Sequence, residues 1–185
     1  MHASAPASDW VTRFARHWPK GMQVLDVACG SGRHMRWLSE HGHSVTGVDR
    51  DAQALEVASA WGDTLRADLE NPQSPWPLGQ RQFDAVVVTH YLWRPLWPSL
   101  KAAVKPGGWL IYETFAWGHA RFGRPSRDDF LLQPGELLQV FGDWQVVAFE
   151  QGLLQDPQRQ VQRVAARCLK PPLAEPLNDP LSNRP

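Results

Sequence analysis

The stretch Val24-Leu25-Asp26-Val27-Ala28-Cys29-Gly30-Ser31-Gly32-Arg33 constrains the fold more than any other part of the chain. A short apolar run stops at a glycine turn. A helical pattern then runs from about Arg33 to His41, where Gly42 ends it. Gly30 and Gly32 let the backbone pass close to a ligand without side-chain obstruction. A strand that feeds a helix through such a turn puts a ligand at the strand's carboxyl end, where open α/β sheets bind. Asp49 closes the next apolar run, Ser44 to Asp49, and an acid there can accept hydrogen bonds from ribose hydroxyls.

The alternation continues along the chain. Trp10, Val11, Phe14 and Trp18 predict an amphipathic helix over Ser8 to Trp18, before the strand that begins near Met22. Asp51 to Trp61 predicts a helix, and Thr64 to Ala67 a short third strand. Pro72, Pro75, Pro77 and Gly79 mark a loop. Phe83 to Thr89, β-branched and apolar, predicts a fourth strand. A helix near Pro95 to Val104 should end at Lys105-Pro106-Gly107-Gly108, before a fifth strand over Trp109 to Phe115. Pro134 to Phe141 predicts a helix with proline in its first turn. Trp144 to Gln151 and Val161 to Leu169 alternate like a terminal antiparallel pair. The expectation is an α/β fold with a doubly wound, mostly parallel seven-stranded sheet and an antiparallel terminal pair. Residues 1–170 are expected to form one domain whose first helix is lid-like. Residues 171–185, rich in proline and polar side chains, are expected to be disordered.

Lys plus Arg and Asp plus Glu number 19 each, which argues against a dedicated nucleic-acid binder. Two cysteines make no disulfide framework, and no basic-then-apolar leader or long apolar run is visible, so a cytoplasmic protein without a membrane span is expected. No metal site is expected. The ten tryptophans should be core or cleft walls, because indole rings bury large apolar area.

The strand–glycine turn–helix–acid layout also suits nicotinamide cofactors. However, Met35 occupies the place of the third glycine in the dinucleotide fingerprint, and no Tyr-x-x-x-Lys pair follows the fourth strand. Taken together, Asp26 to Gly32, Asp49, Asp68, Phe83 to Val88 and Lys105 to Gly108 resemble class I S-adenosylmethionine-dependent methyltransferases, whose fold is Rossmann-like. The Ala-Cys-Gly-Ser-Gly core is also similar to that of small bacterial tellurite-resistance-like methyltransferases. The resemblance covers roughly residues 20–115. It implies S-adenosylmethionine as cofactor, with Asp26, Ala28, Gly30, Gly32, Asp49 and Arg50 around its methionine and ribose parts, Asp68 at the adenine amino group and Leu69 beside the ring. The family usually has glycine at the Ala28 position. Alanine is expected to keep φ below zero there after a small adjustment.

On the acceptor side, His90 and Tyr91 follow the fourth strand and are the candidate catalytic residues. His90 reads either as a general base or as an imidazole that holds the loop, and Tyr91 either as a catalytic side chain or as a wall. Arg33 and His34 line the cleft or form a solvated first turn. His119, Arg121, Arg124 and Arg127 either clamp an anionic acceptor, with Arg121 and Arg124 the foremost pair, or form a solvated loop face. Cys29 sits inside the cofactor turn and is not read as a nucleophile. The expected reaction is in-line methyl transfer to a small-molecule acceptor. The alternatives are an RNA acceptor and a non-catalytic cofactor-binding module. The sequence gives no Asn-Pro-Pro-Tyr or Pro-Cys motif of the specialised nucleic-acid and amide methylators. Oligomeric state is not legible.

Overall fold

A computed structural model of the chain describes residues 5–71 and 73–169. The expected disordered tail, and Pro72 of the expected loop, lie outside the described residues. The elements in order are α1 (Asp9–Ala15), β1 (Gln23–Val27), α2 (Arg33–Glu40), β2 (Ser44–Asp49), α3 (Ala52–Ala58), β3 (Asp63–Arg66), β4 (Phe83–Thr89), α4 (Trp97–Ala103), β5 (Val104–Phe115), α5 (Glu136–Phe141), β6 (Gln145–Leu154) and β7 (Arg159–Arg167). They build one seven-stranded sheet in the order β3-β2-β1-β4-β5-β7-β6. Five strands run parallel, and β7 is antiparallel to both β5 and β6. The fold is Rossmann-like, and the strand order reverses direction between β1 and β4.

Burial on both faces explains the apolar runs. In β1 and β4, Leu25, Val27, Val86 and Val88 face one core with Leu100, Leu137 and Phe141 of the helices. Val24, Ala85 and Val87 face the other with Trp10, Met35 and Leu38. This period-two division, buried on each side, is what a covered parallel sheet requires. Ser8 caps α1 by accepting from the Trp10 amide at 3.2 Å, and Asp51 caps α3 through the Gln53 and Ala54 amides. Trp10 anchors α1 on the sheet: its indole donates to the Val164 carbonyl at 3.3 Å, and the residue is 1% exposed.

Several boundaries differ from expectation, β6 and β7 among them, and three differ for local reasons. β5 begins at Val104, because Val104 pairs with Phe83 and the expected Lys-Pro-Gly-Gly turn is taken into the strand as a register shift. α5 begins only at Glu136, because Gly135 at φ 72 is left-handed and caps it, so Pro134 falls outside. α1 ends at Ala15, leaving Trp18 to pack beyond it as a buried side chain. Trp117, in contrast to the buried tryptophans, is 60% exposed.

Candidate cofactor and acceptor site

The carboxyl ends of β1, β2, β3 and β4 meet around a cleft lined by Ala28, Asp49, Arg50, Ala67, Asp68, Leu69, Glu70 and Tyr91. The sequence-derived cofactor residues 28, 49, 50, 68 and 69 are therefore brought together. Asp49 also braces the turn that precedes α2. Its Oδ2 accepts from the Gly30 amide at 2.8 Å, and its Oδ1 from the Asp51 amide at 2.9 Å. A carboxylate has about four acceptor positions, so two amides leave room for hydroxyl donors. Gly30 is left-handed at φ 53, and a Cβ there would meet no atom within 4 Å, which leaves the turn open to close approach. Asp68 turns the following chain by accepting from the Glu70 amide at 3.0 Å, with Leu69 between them against the core.

Ala28 departs from expectation. Its φ is 53, not below zero. The chain must turn sharply after Val27 so that the Cys29 amide can donate to the Val48 carbonyl at 3.1 Å and keep β1 tied to β2. An alanine methyl can occupy this left-handed geometry at a cost of about 1–2 kcal/mol, which is the reason glycine suits the position.

Behind the turn lies a buried acid–imidazole pair. Asp26 and His34 are each 1% exposed. His34 Nε2 accepts from the Ser8 amide at 3.2 Å, so its proton sits on Nδ1, 3.9 Å from Asp26 Oδ2. That oxygen has no hydrogen-bond partner among the described residues. Burial raises the Asp26 pKa to about 7, opposed by Arg33, and burial together with Arg33 lowers that of His34 to about 3. Below neutral pH the pair is therefore a neutral acid beside a neutral imidazole, not an ion pair.

This has a measurable consequence. The raised carboxyl gives stability that is full below its unfolded pKa, near 4, and is lost as pH rises towards 7. Asp26→Asn stays neutral at every pH. Relative to the native chain it should gain up to about 1.4 kcal/mol per pH unit between those limits. Urea denaturation of both proteins at pH 5 and pH 8 checks this, and an equal difference at the two pH values would refute it.

The candidate acceptor side is built on β4, β5 and the start of α2. Arg33, half-buried, donates to Thr89 Oγ1 at 3.3 Å and lies 3.4 Å from His90 Nδ1. A guanidinium only donates, so Nδ1 accepts and the His90 proton sits on Nε2. His90 is left-handed at φ 53, its amide donates to the Glu113 carbonyl at 2.9 Å, and its ring stacks on Phe115 at 4.9 Å. His90 is exposed; desolvation of its inner face against Phe115 and the guanidinium groups of Arg33 and Arg159 lower its pKa to about 4. Tyr91 lines the candidate cofactor cleft instead, with Asp49 and Asp68. Its hydroxyl has no partner among the described residues, and burial beside Glu70 and Asp68 pushes its pKa up.

The loop after β5 is fastened elsewhere. His119 is 3% exposed, with Nδ1 accepting from the Gln160 amide and Nε2 facing the Arg124 carbonyl, so both ring nitrogens hold backbone. Arg121 is exposed and donates to the Gly118 carbonyl, Arg127 pairs with Asp129, and Arg124 is exposed. None of these arginines lines the cofactor cleft. Arg94 clamps the loop: it pairs with both Glu136 oxygens and donates to the Asp129 and Leu131 carbonyls.

Two residues at this edge escaped sequence reasoning. Glu113, an acid within an apolar strand, was a visible signal. It is 1% exposed and accepts from Ser8 Oγ at 3.1 Å and Arg163 at 3.2 Å. Arg159 carried no local signal, because it reaches this edge only through the insertion of β7 between β5 and β6.

A family model described as a methyltransferase domain matches residues 2–161. The ubiquinone biosynthesis O-methyltransferase of Bordetella avium is 29% identical over 126 residues, which is 62% of this chain and 51% of the relative. A tRNA U34 carboxymethyltransferase of Hahella chejuensis is 37% identical over 120 residues, 58% of this chain and 37% of the relative. The chain thus aligns with about half or less of the length of these curated relatives. The structure of TehB from Haemophilus influenzae superposes with a TM-score of 0.71 at 21% identity, covering 90% of this chain and 63% of that one. No helix among the described residues is long and apolar enough to cross a membrane.

Proposed function

The chain belongs to the methyltransferase domain family, and from that premise we propose that it transfers a methyl group from S-adenosylmethionine to a small-molecule acceptor. One observation carries the reading: the cleft at the carboxyl edge collects Ala28, Asp49, Arg50, Asp68 and Leu69 around an open, left-handed glycine turn. These residues fit the cofactor. The free acceptor positions of Asp49 suit ribose hydroxyls, Leu69 and the Tyr91 ring suit an adenine face, and Asp68 suits its amino group. When bound, the cofactor supplies a methyl group on a cationic sulfur, the electrophile of an in-line displacement.

The chain's own residues orient the partners. Phe115 fixes the His90 ring, and Arg33 fixes its tautomer, so Nε2–H is offered as a donor. With a pKa near 4, His90 is a weak base at neutral pH. Its role in this reading is to orient an acceptor that is already nucleophilic, and alignment supplies much of the acceleration. An RNA acceptor is the second reading, motivated by the tRNA-modifying relative. The balanced charge of the chain favours the small molecule.

Binding tests the premise of the cleft. S-adenosylhomocysteine at millimolar concentration should raise Tm by mass action, and NADH should not. The absence of a shift with S-adenosylhomocysteine, together with no heat of binding by calorimetry, would sink the reading.

A further inference from the structure

We propose that Arg33 and Arg159 form an anion-recognising pair on the acceptor side, so that the methyl acceptor carries a carboxylate, phosphate or other small oxyanion. The inference rests on the methyltransferase reading and names the substrate class for that same site.

The two guanidinium groups come from opposite ends of the fold. Arg33 opens α2 directly after the glycine turn, and Arg159 opens β7 at the tip of the terminal hairpin. The register brings them to one edge. β7 runs antiparallel to β5, with Val161 opposite Phe115, so the first residues of β7 stand at the carboxyl end of β5. The Ala116 amide ties that corner by donating to the Gln160 carbonyl at 3.0 Å. From there a stack of rings leads inward: His119 on Phe115 at 4.3 Å, and Phe115 on His90 at 4.9 Å, whose Nδ1 is 3.4 Å from Arg33. Arg159 is near enough for its charge to lower the proton affinity of both Arg33 and His90.

Neither guanidinium has a carboxylate within 4.0 Å among the described residues; Asp26 and Glu113 act on Arg33 only from farther away, and the carboxylates of this corner are held elsewhere. Glu113 is held by Ser8 and Arg163, and Glu150 by Arg163 and Arg13. Asp26, with its raised pKa, is largely protonated below neutral pH. The Nε of Arg159 is buried with no hydrogen-bond partner among the described residues. A half-buried guanidinium with an unpartnered Nε, beside a second that no carboxylate touches directly, is a costly arrangement that an anionic ligand would relieve. The cofactor's own carboxylate is a second possible anion. Two observations favour the acceptor: neither arginine lines the cofactor cleft, and Arg159 reaches the site on β7, beside β5 and away from β2 and β3.

The test is a titration of the whole chain, saturated with S-adenosylhomocysteine, with inorganic phosphate and with benzoate, read by the His90 ring resonances in NMR. Arg159→Gln and Arg33→Gln are titrated in parallel, and S-adenosylhomocysteine affinity is measured separately for each protein by calorimetry. The expected result is a saturable shift in the native chain, weakened about tenfold or more in each variant, with Arg159→Gln binding S-adenosylhomocysteine as the native chain does. A shift that is unsaturable, or equal in Arg159→Gln, overturns the pair. So does a shift that appears only without S-adenosylhomocysteine, because the anion then occupies the cofactor's place. An oligouridylate that binds more tightly than phosphate, with the same arginine dependence, overturns the small-molecule class. Failure of S-adenosylhomocysteine to bind the native chain is a separate result and counts against the cofactor reading itself.

Discussion

Asp49→Ala should weaken S-adenosylhomocysteine binding about 10–100-fold, because the cofactor's hydroxyls lose charge-assisted hydrogen bonds worth roughly 1.5–3 kcal/mol. The structure adds a second effect. The same carboxylate holds the Gly30 and Asp51 amides, at 2.8 and 2.9 Å, so the substitution also releases the glycine turn and the approach to α3. Asp49→Asn separates the two. Its carbonyl oxygen can keep one amide but offers no negative charge to a hydroxyl. It should therefore recover part of the thermal stability lost in Asp49→Ala and less of the affinity. Calorimetry gives the affinities, and thermal unfolding without ligand gives the stabilities. Native affinity in a folded Asp49→Ala protein would remove the ribose role and leave only the bracing.

The candidate cofactor half of this fold is legible in the sequence because it is local. Asp26, Gly30, Gly32 and Asp49 lie on two successive strand ends, and β1 pairs with β2 in parallel with Val27 opposite Val48. Spacing along the chain therefore converts directly into position. Asp68 and Leu69 follow from the next strand by the same logic, despite the shortness of β3. The conformation of Ala28 was not legible. Its sign of φ is set by the need of the Cys29 amide to reach Val48, which is a tertiary demand. The acceptor half depends on contacts far apart in sequence: Ser8 with Glu113, Arg33 with His90, and β7 entering beside β5. Proximity along the chain pointed to Arg121 and Arg124, which lie exposed on the loop and outside the cleft. The strand insertion sets Arg159 at the carboxyl end of β5, a position that no local spacing shows. His34 and Asp26 were visible as residues, yet their neutral pairing follows only from complete burial.

Gly47→Val should be among the most destabilising single changes in the molecule, and its cause connects to Met35. In a dinucleotide-binding turn, a third glycine on the helix permits close helix–strand packing. Here the helix carries Met35, fully buried, and the vacancy lies on the strand instead. A Cβ at Gly47 would stand 2.3 Å from Met35 Sδ, 3.1 Å from Met35 Cε and 2.7 Å from Cys29 Sγ. Gly47→Ala already overpacks this space, at a cost of about 1–3 kcal/mol, and Gly47→Val should exceed that range. Met35→Ala alone should cost about 2–5 kcal/mol through the cavity it leaves. If the helix and strand are complementary at this one point, the double variant Gly47→Ala/Met35→Ala should lose less than the sum of its parts, by about 1 kcal/mol or more. The displaced Cys29 sulfur belongs to the turn that bears Gly30 and Gly32, so Gly47→Ala should also weaken S-adenosylhomocysteine binding, and Met35→Ala in the same chain should restore part of it. Urea denaturation of the four proteins measures the coupling, and calorimetry measures the affinity. Strict additivity in stability would show that Met35 does not fill the space Gly47 leaves, and that α2 is held against the sheet by its other buried side chains, His34 and Leu38.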